Sequence, residues 1–475
     1  MELSLDNGSP PLDRVKHRAD RSNLGSSGRR RKPVHLSGVV LAQAVYNAAL
    51  MALRGAAPLV GRLSRAVARG VDERAASART IAAWALHARD RRRTLVVFHG
   101  ASAGELRQAE PVIARIRRRH PDWQVAVTCF SPSGLPVARS LPADVAGILP
   151  LDLEDDVTAF LEALSPTAIV VTKLDLWPTL ARVAARRGIR LGMIAGRVRP
   201  GSRRLSRAAR AVLSPAYRAL DAVGAAGADD ATRLASLGAR PEVIRILGDP
   251  RYDSVLERIA GRPAPSPHPS TLIAGSTWPR DEWLLLRELA DIRQAGDEAR
   301  LVIAPHQPAP DTIPRLTAWA GRLGLPVPRP HGQATGDHPL VVMAEVGPLA
   351  FLYSAGIIAY VGGGFRPGGL HSVLEPAVWG VPVIAGPDAR ANPEAEQLRE
   401  AGALVSLPER GTAAALHACW TTWLAEPSRR VEAGLAARRV LEQGLGAADR
   451  SAELVEGLVG EGRQPLAVSH WPARR

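Results

Sequence analysis

The chain has 475 residues, 46% hydrophobic and 23% charged, a balance that excludes a disordered or fibrous protein and exceeds one ordinary core, so two or three domains are expected. A net charge of +15 calls for an acidic partner, either a phosphorylated substrate or an anionic membrane surface. Nucleic acid is not expected: five Phe and five Tyr leave few stacking platforms, and no zinc-finger or RNP-like pattern is present.

Residues 1–32 are polar, rich in Gly and Ser, and end in "RRRK", which reads as a disordered basic tail. Residues 33–53 carry no Asp, Glu, Lys or Arg, so 33–65 reads as an apolar, membrane-associated helix containing "VVLAQAVYNAALMAL". Arginines and a lysine flank it on both sides, giving no clear topological asymmetry. A crossing helix, an interfacial helix and an ordinary buried helix all remain open at this point.

From 66 to 258 short apolar runs alternate with helix-period stretches. "TLVVFHG", "WQVAVTC", "AIVVTK" and "IRLGMIAG" read as buried parallel strands. "GRPAPSPHPS" at 261–270 reads as a linker. A second set, "TLIAGS", "RLVIAP", "PLVVM", "GIIAYVGGG" and "VPVIAGP", fills a second domain over 259–460, and 461–475 reads as a flexible tail. Two doubly wound α/β domains facing a cleft are therefore expected, with ligands at the carboxyl ends of strands.

Two stretches carry chemistry. In "FHGASAGELRQAEP" small residues lead from strand to helix, and Glu105 falls in the first helical turn. The helix dipole accounts for a carboxylate there without any function, and the position suits a general base equally well. In "YVGGGFRPGGLHSVLEPAVWGVPVIAGP" a glycine-rich turn precedes a helix expected to carry His371 and Glu375 four apart on one face. Amides at that helix start suit a phosphate, and the following carboxylate suits ribose hydroxyls. Only Lys16, Lys32 and Lys173 are lysines, the other 58 basic residues being arginine, so the compact ammonium in "TKLDLW" stands out. Cys129 and Cys419 match no metal spacing and fit a reducing compartment, and no metal or cofactor is expected.

"HGASAGE", "LPLDL", "KLDLWP", "AGR", "GDPRYD", "AGSTWP", "IAPHQ" and the glycine-rich stretch stand in the order found in the 3-deoxy-D-manno-octulosonic acid (Kdo) transferases of lipopolysaccharide synthesis, which the chain resembles. "SAGE", "TKLD", "PHQP" and Ser372 after the histidine depart from the commoner pattern; the lysine two residues before Asp175, "GDPR", "AGSTWP" and "PH" without a following arginine resemble another branch of that family.

The resemblance implies a GT-B fold, an N-terminal acceptor-binding domain, a C-terminal CMP-sugar-binding domain and inverting, metal-independent transfer of Kdo. It further implies CMP-Kdo as the donor and a lipid A precursor as the acceptor, at the cytoplasmic face of the inner membrane. Carried over by position, Glu105 and Asp175 are catalytic, and Ser102, Gly104, Lys173, Arg197 and Arg251 bind substrate. Ser276, Thr277, His306, Gly363, Gly364, Gly369, His371, Ser372 and Glu375 hold the CMP-sugar. A GT-B enzyme using a UDP-sugar and a non-catalytic, membrane-tethered lipid A-binding homologue are the alternatives.

Overall fold

The computed structural model describes residues 38–261, 267–331, 338–343, 349–366 and 369–460. The expected tails 1–32 and 461–475 lie outside them, as do 33–37 and part of the proline-rich linker.

Two seven-stranded sheets organise the chain, both parallel throughout. The first holds β1 (Leu95–His99), β2 (Gln124–Cys129), β3 (Val145–Ile148), β4 (Ala168–Thr172), β5 (Arg190–Gly196), β6 (Ala222–Ala225) and β7 (Ile244–Ile246). Their order is β3-β2-β1-β4-β5-β6-β7. The second holds β8 (Thr271–Thr277), β9 (Arg300–Pro305), β10 (Arg329–Pro330), β11 (Leu340–Val342), β12 (Ile358–Val361), β13 (Val383–Ala385) and β14 (Leu404–Ser406). Its order is β10-β11-β9-β8-β12-β13-β14, so the winding reverses between β8 and β12, as it does between β1 and β4 in the first. This is the GT-B arrangement. Central strands have helices on both faces, which explains their continuous apolar runs. Leu95, Val96, Val97 and Phe98 are fully buried, each contributing roughly 1.5–3 kcal/mol.

Helix α1 (Gly38–Leu63) packs on α2 (Arg65–His87) and on the helix Arg207–Arg218. The Tyr46 hydroxyl donates to Asp152 Oδ2 at 2.9 Å, and Arg54 pairs with Asp156 at the same distance. Val45, Met51, Leu53 and Leu59 nonetheless face outward, 58–66% exposed. No helix among the described residues is long and apolar enough to cross a membrane.

The end of the chain differs from the expected partition at 259–460. The helix Ala447–Gly460 returns to the first domain, where Ala448, Ala452, Val455 and Leu458 join the core formed by β1, β2, β4 and helix α3 (Ala103–Arg119). Asp253 fixes this crossing by accepting the Gly446 and Ala448 amide hydrogens at 2.8 and 3.0 Å, which supplies the cap that the helix start requires.

Candidate functional site

In open α/β sheets, ligands meet the strand ends where the winding reverses. Both reversals here carry polar constellations. At the first, Ser102 caps α3: its amide and hydroxyl donate to Glu105 Oε2 at 2.9 and 2.8 Å, and the Glu105 amide donates back to Ser102 Oγ at 3.4 Å. This capping box fixes the carboxylate at the helix start, with exposed Gly104 beside it. Lys173 follows β4 with φ +66, an expensive backbone state for a residue with a Cβ, and its amide donates to Ile194 O at 2.8 Å. Lys173 Nζ lies 3.9 Å from Glu105 Oε1.

Asp175 completes the cluster. Its Oδ2 accepts the Ala101 amide hydrogen at 2.8 Å, and Arg204 braces the same turn by donating to Leu174 O at 2.9 Å. Loss of water raises Asp175 most, and hydrogen bonding and repulsion from Glu105 add to it, pushing the carboxyl up to about 7 against the opposing pull of the Ala101 amide and Arg204. Near neutrality Asp175 therefore keeps its proton in a substantial fraction of molecules.

Below lies an unanticipated support: buried His99 accepts from Trp177 Nε1 at 3.3 Å and contacts Thr128 Oγ1 through Nδ1 at 3.0 Å. Burial pushes this imidazole down to about 4, so it stays neutral and keeps its lone pair for the indole.

The second reversal gathers aromatic and cationic groups. Ser276 has φ +53 where the β8 register shifts, and Gly362 lies so close that a Cβ there would stand 2.3 Å from Ser276 O. Asp281, which sequence reading missed, ties the halves of this site together. It accepts from Tyr360 Oη at 2.7 Å, from the Trp278 amide at 2.9 Å and from the Gly363 amide at 3.2 Å. The rings of His306 and His371 lie 4.1 Å apart, Trp278 is 5.1 Å from His306, and Trp278 Nε1 donates to His371 Nε2 at 3.4 Å. Dehydration, then His306 and Arg366, pushes His371 down to about 4. It is a neutral acceptor here.

Three expectations for this half require correction. The helix holding Glu375 begins only at Leu374, so His371 lies in the preceding loop, with its amide bonded to Gly362 O at 3.3 Å. Glu375 instead pairs with Arg258 at 3.2 Å, and burial raises its carboxyl. That helix has four residues, too short to offer the phosphate an N-terminal dipole. The Thr277 hydroxyl is engaged by buried Glu282 at 3.3 Å, whereas Ser372 is exposed. Gly364 packs against Gly386 and Gly369 bonds to Arg366 O at 2.8 Å, so these glycines shape the turn.

Arg197 and Arg251 join a clasp between the domains. Both pair with buried Glu394, and both meet Asp249 Oδ2, Arg251 Nη2 at 2.8 Å and Arg197 Nη2 at 3.5 Å; Arg197 Nε also lies 3.8 Å from Asp230. Dehydration opposes ionisation of Asp249, but Arg251 and Arg197 outweigh it and hold the carboxyl down at about 2. Gln108, one turn beyond Glu105, reaches Asp249 at 3.4 Å. Beside the clasp lies a polar cavity of about 520 Å³ lined by Arg197, Tyr252, Gln397 and Gln443.

Comparison with known proteins gives a consistent picture. Residues 69–254 match the family described as 3-deoxy-D-manno-octulosonic-acid transferase (kdotransferase). The chain is 29% identical to a 3-deoxy-D-manno-octulosonic acid transferase of Chlamydophila psittaci over 64% of this chain and 72% of the relative. It is 24% identical to the transferase of the same name from Haemophilus influenzae over 76% and 86%. A solved structure of a putative UDP-N-acetylglucosamine 2-epimerase from Listeria monocytogenes superposes with a TM-score of 0.56 at 14% identity, covering 78% of this chain and 98% of that one, which supports the two-domain fold alone.

Proposed function

We propose that this chain, which is similar to Kdo transferases over 64–76% of its length, transfers Kdo from CMP-Kdo to a phosphorylated lipid A precursor, with inversion. The observation that carries the reading is the Glu105 and Asp175 pair at the β1/β4 reversal, the first fixed by its capping box at the helix start, the second raised to about 7 by burial and by Glu105.

In this reaction Glu105 takes the proton of an acceptor hydroxyl as its oxygen bonds to the anomeric carbon; the carbon–oxygen bond to phosphate breaks, and CMP leaves with the electron pair. Ser102 orients the base, protonated Asp175 hydrogen-bonds to it, and Lys173 places a positive charge beside it. A donor with one phosphate needs less charge neutralisation than a nucleoside diphosphate sugar, which suits arginine side chains in place of a metal ion.

The test is incubation with CMP-Kdo and a tetra-acylated lipid A precursor, followed by mass measurement of the lipid, alongside thermal shift with CMP and UDP. Kdo-adducted lipid and stabilisation by CMP are expected. Unchanged lipid, or stabilisation by UDP alone, would refute the reading in favour of a non-catalytic homologue or a UDP-sugar enzyme.

We place the enzyme at the cytoplasmic face of the inner membrane, with the outward apolar residues of α1 in the lipid interface. Leu53→Glu combined with Leu59→Glu is expected to reduce co-sedimentation with anionic vesicles, and undiminished sedimentation would contradict this placement.

A further inference from the structure

Any donor sugar that is both a phosphodiester and a carboxylate brings two negative charges to the reacting centre. The cations that would receive them are not those that position in the sequence suggests. Arg197 and Arg251 are occupied by Asp249 and Glu394, with Asp230 near Arg197, so an incoming anion would have to displace carboxylates already buried around them.

Arg366 is different. It is exposed, it follows β12 at the reversal of the second sheet, and no carboxylate among the described residues pairs with it. Its guanidinium carbon stands 4.2 Å above the centroid of the Trp278 ring. Trp278 is itself fixed, by its amide bond to Asp281 and its indole bond to His371. A flexible arginine is thereby held on a rigid aromatic base beside two neutral histidines. Arg280 repeats the stacking, 4.2 Å above Phe365, while its charge also acts on the neighbouring Asp281 carboxyl.

Resting on the reading of the site as a Kdo transferase, we infer that Arg366, steadied on Trp278, is the receptor for an anionic group of the CMP-sugar donor, while Arg197 and Arg251 serve the clasp between domains. A planar guanidinium suits this role because it stacks on the indole and keeps its edge N–H groups free for phosphate or carboxylate oxygens. Trp278 acts through Arg366 and is a positioning residue.

The experiment compares wild type, Arg366→Gln, Arg366→Lys and Trp278→Leu by affinity for cytidine and CMP and by steady-state kinetics with CMP-Kdo. If Arg366 meets the phosphate, Arg366→Gln weakens CMP binding at least tenfold and leaves cytidine binding unchanged. If it meets the carboxylate, binding of both is unchanged and KM for CMP-Kdo rises at least tenfold. Either result supports the inference and tells the two anions apart. Arg366→Lys recovers only part of the loss, and Trp278→Leu reproduces part of it, with a thermal midpoint close to wild type for both arginine variants because Arg366 is exposed.

CMP affinity and CMP-Kdo kinetics all within twofold of wild type in Arg366→Gln would overturn the inference and leave the transferase reading standing. Wild type that neither binds CMP nor turns over CMP-Kdo would sink both.

Discussion

Replacing Asp175 with Asn should stabilise the protein in alkaline solution and leave it unchanged in acid. The carboxyl has an ordinary value of 3.8 and is pushed up to about 7, first by dehydration and then by Glu105. Between those values the folded chain holds a proton that the unfolded chain has lost, so stability falls as pH rises through this window. At about 1.4 kcal/mol per pH unit, the penalty fully developed above pH 7 is on the order of 4 kcal/mol, less where residual water screens the pair.

Asn removes the ionisation while conserving the geometry. Its oxygen accepts the Ala101 amide hydrogen and its N–H2 faces Glu105, mimicking the protonated acid. Melting curves at pH 5 and pH 8 are the assay: about a third of the penalty is already present at pH 5, so the variant should exceed wild type modestly there and by several degrees more at pH 8. Asp152, raised to about 6 by burial, titrates in the same window but does so in both proteins and cancels in the comparison. Parallel pH dependences would refute the raised Asp175 carboxyl.

Four further outcomes are expected. Glu105→Ala should cut turnover on the lipid acceptor by a factor of roughly 100 or more while leaving CMP affinity intact, and near-normal turnover would remove Glu105 as the base. Lys173→Arg keeps the charge but replaces the compact ammonium 3.9 Å from Glu105 with a bulkier fork; activity should drop several-fold, and full activity would end any special need for lysine. Glu394→Gln leaves Arg251 with Asp249 alone and Arg197 with Asp249 and the more distant Asp230, and should cost about 3–5 kcal/mol in denaturant unfolding, against a negligible change if the clasp were a surface ornament. Gly364→Ala puts a Cβ 2.5 Å from the Gly386 nitrogen, so the turn must shift and donor KM should rise; unaltered KM would mean the turn does not shape the donor pocket.

The strands that were legible in the sequence are those whose burial on both faces demands unbroken apolar runs, such as "LVVFH" in β1 and "AIVVT" in β4. β3, β6 and β7, read "VAGI", "AVGA" and "IRI", are short and lack that signal, as do the two-residue β10 and three-residue β14. Neighbouring strands dictate their pairing, which no local pattern records. Glu105, Asp175 and the glycine-rich turn were legible because small residues and a carboxylate after a strand have a local meaning. Asp281, which reaches Tyr360 and Gly363, and Glu394, which meets Arg197 from almost two hundred residues away, were not, since their roles exist only once both sheets are assembled. The helix expected at His371 fails for a related reason: the His371 amide is taken by Gly362 O across the loop, which delays the helix to Leu374.

The return of Ala447–Gly460 to the first domain also bears on how this protein is made. Val96, Phe98 and Val170 on one face of the first sheet share their core with Ala448, Ala452, Val455 and Leu458. During synthesis that face stays only partly covered until the last helix has emerged from the ribosome, long after its own strands have been translated. The domain made first is thus finished last, and a chain truncated before Ala447 leaves the ribosome with an apolar face that only a chaperone or another chain can cover.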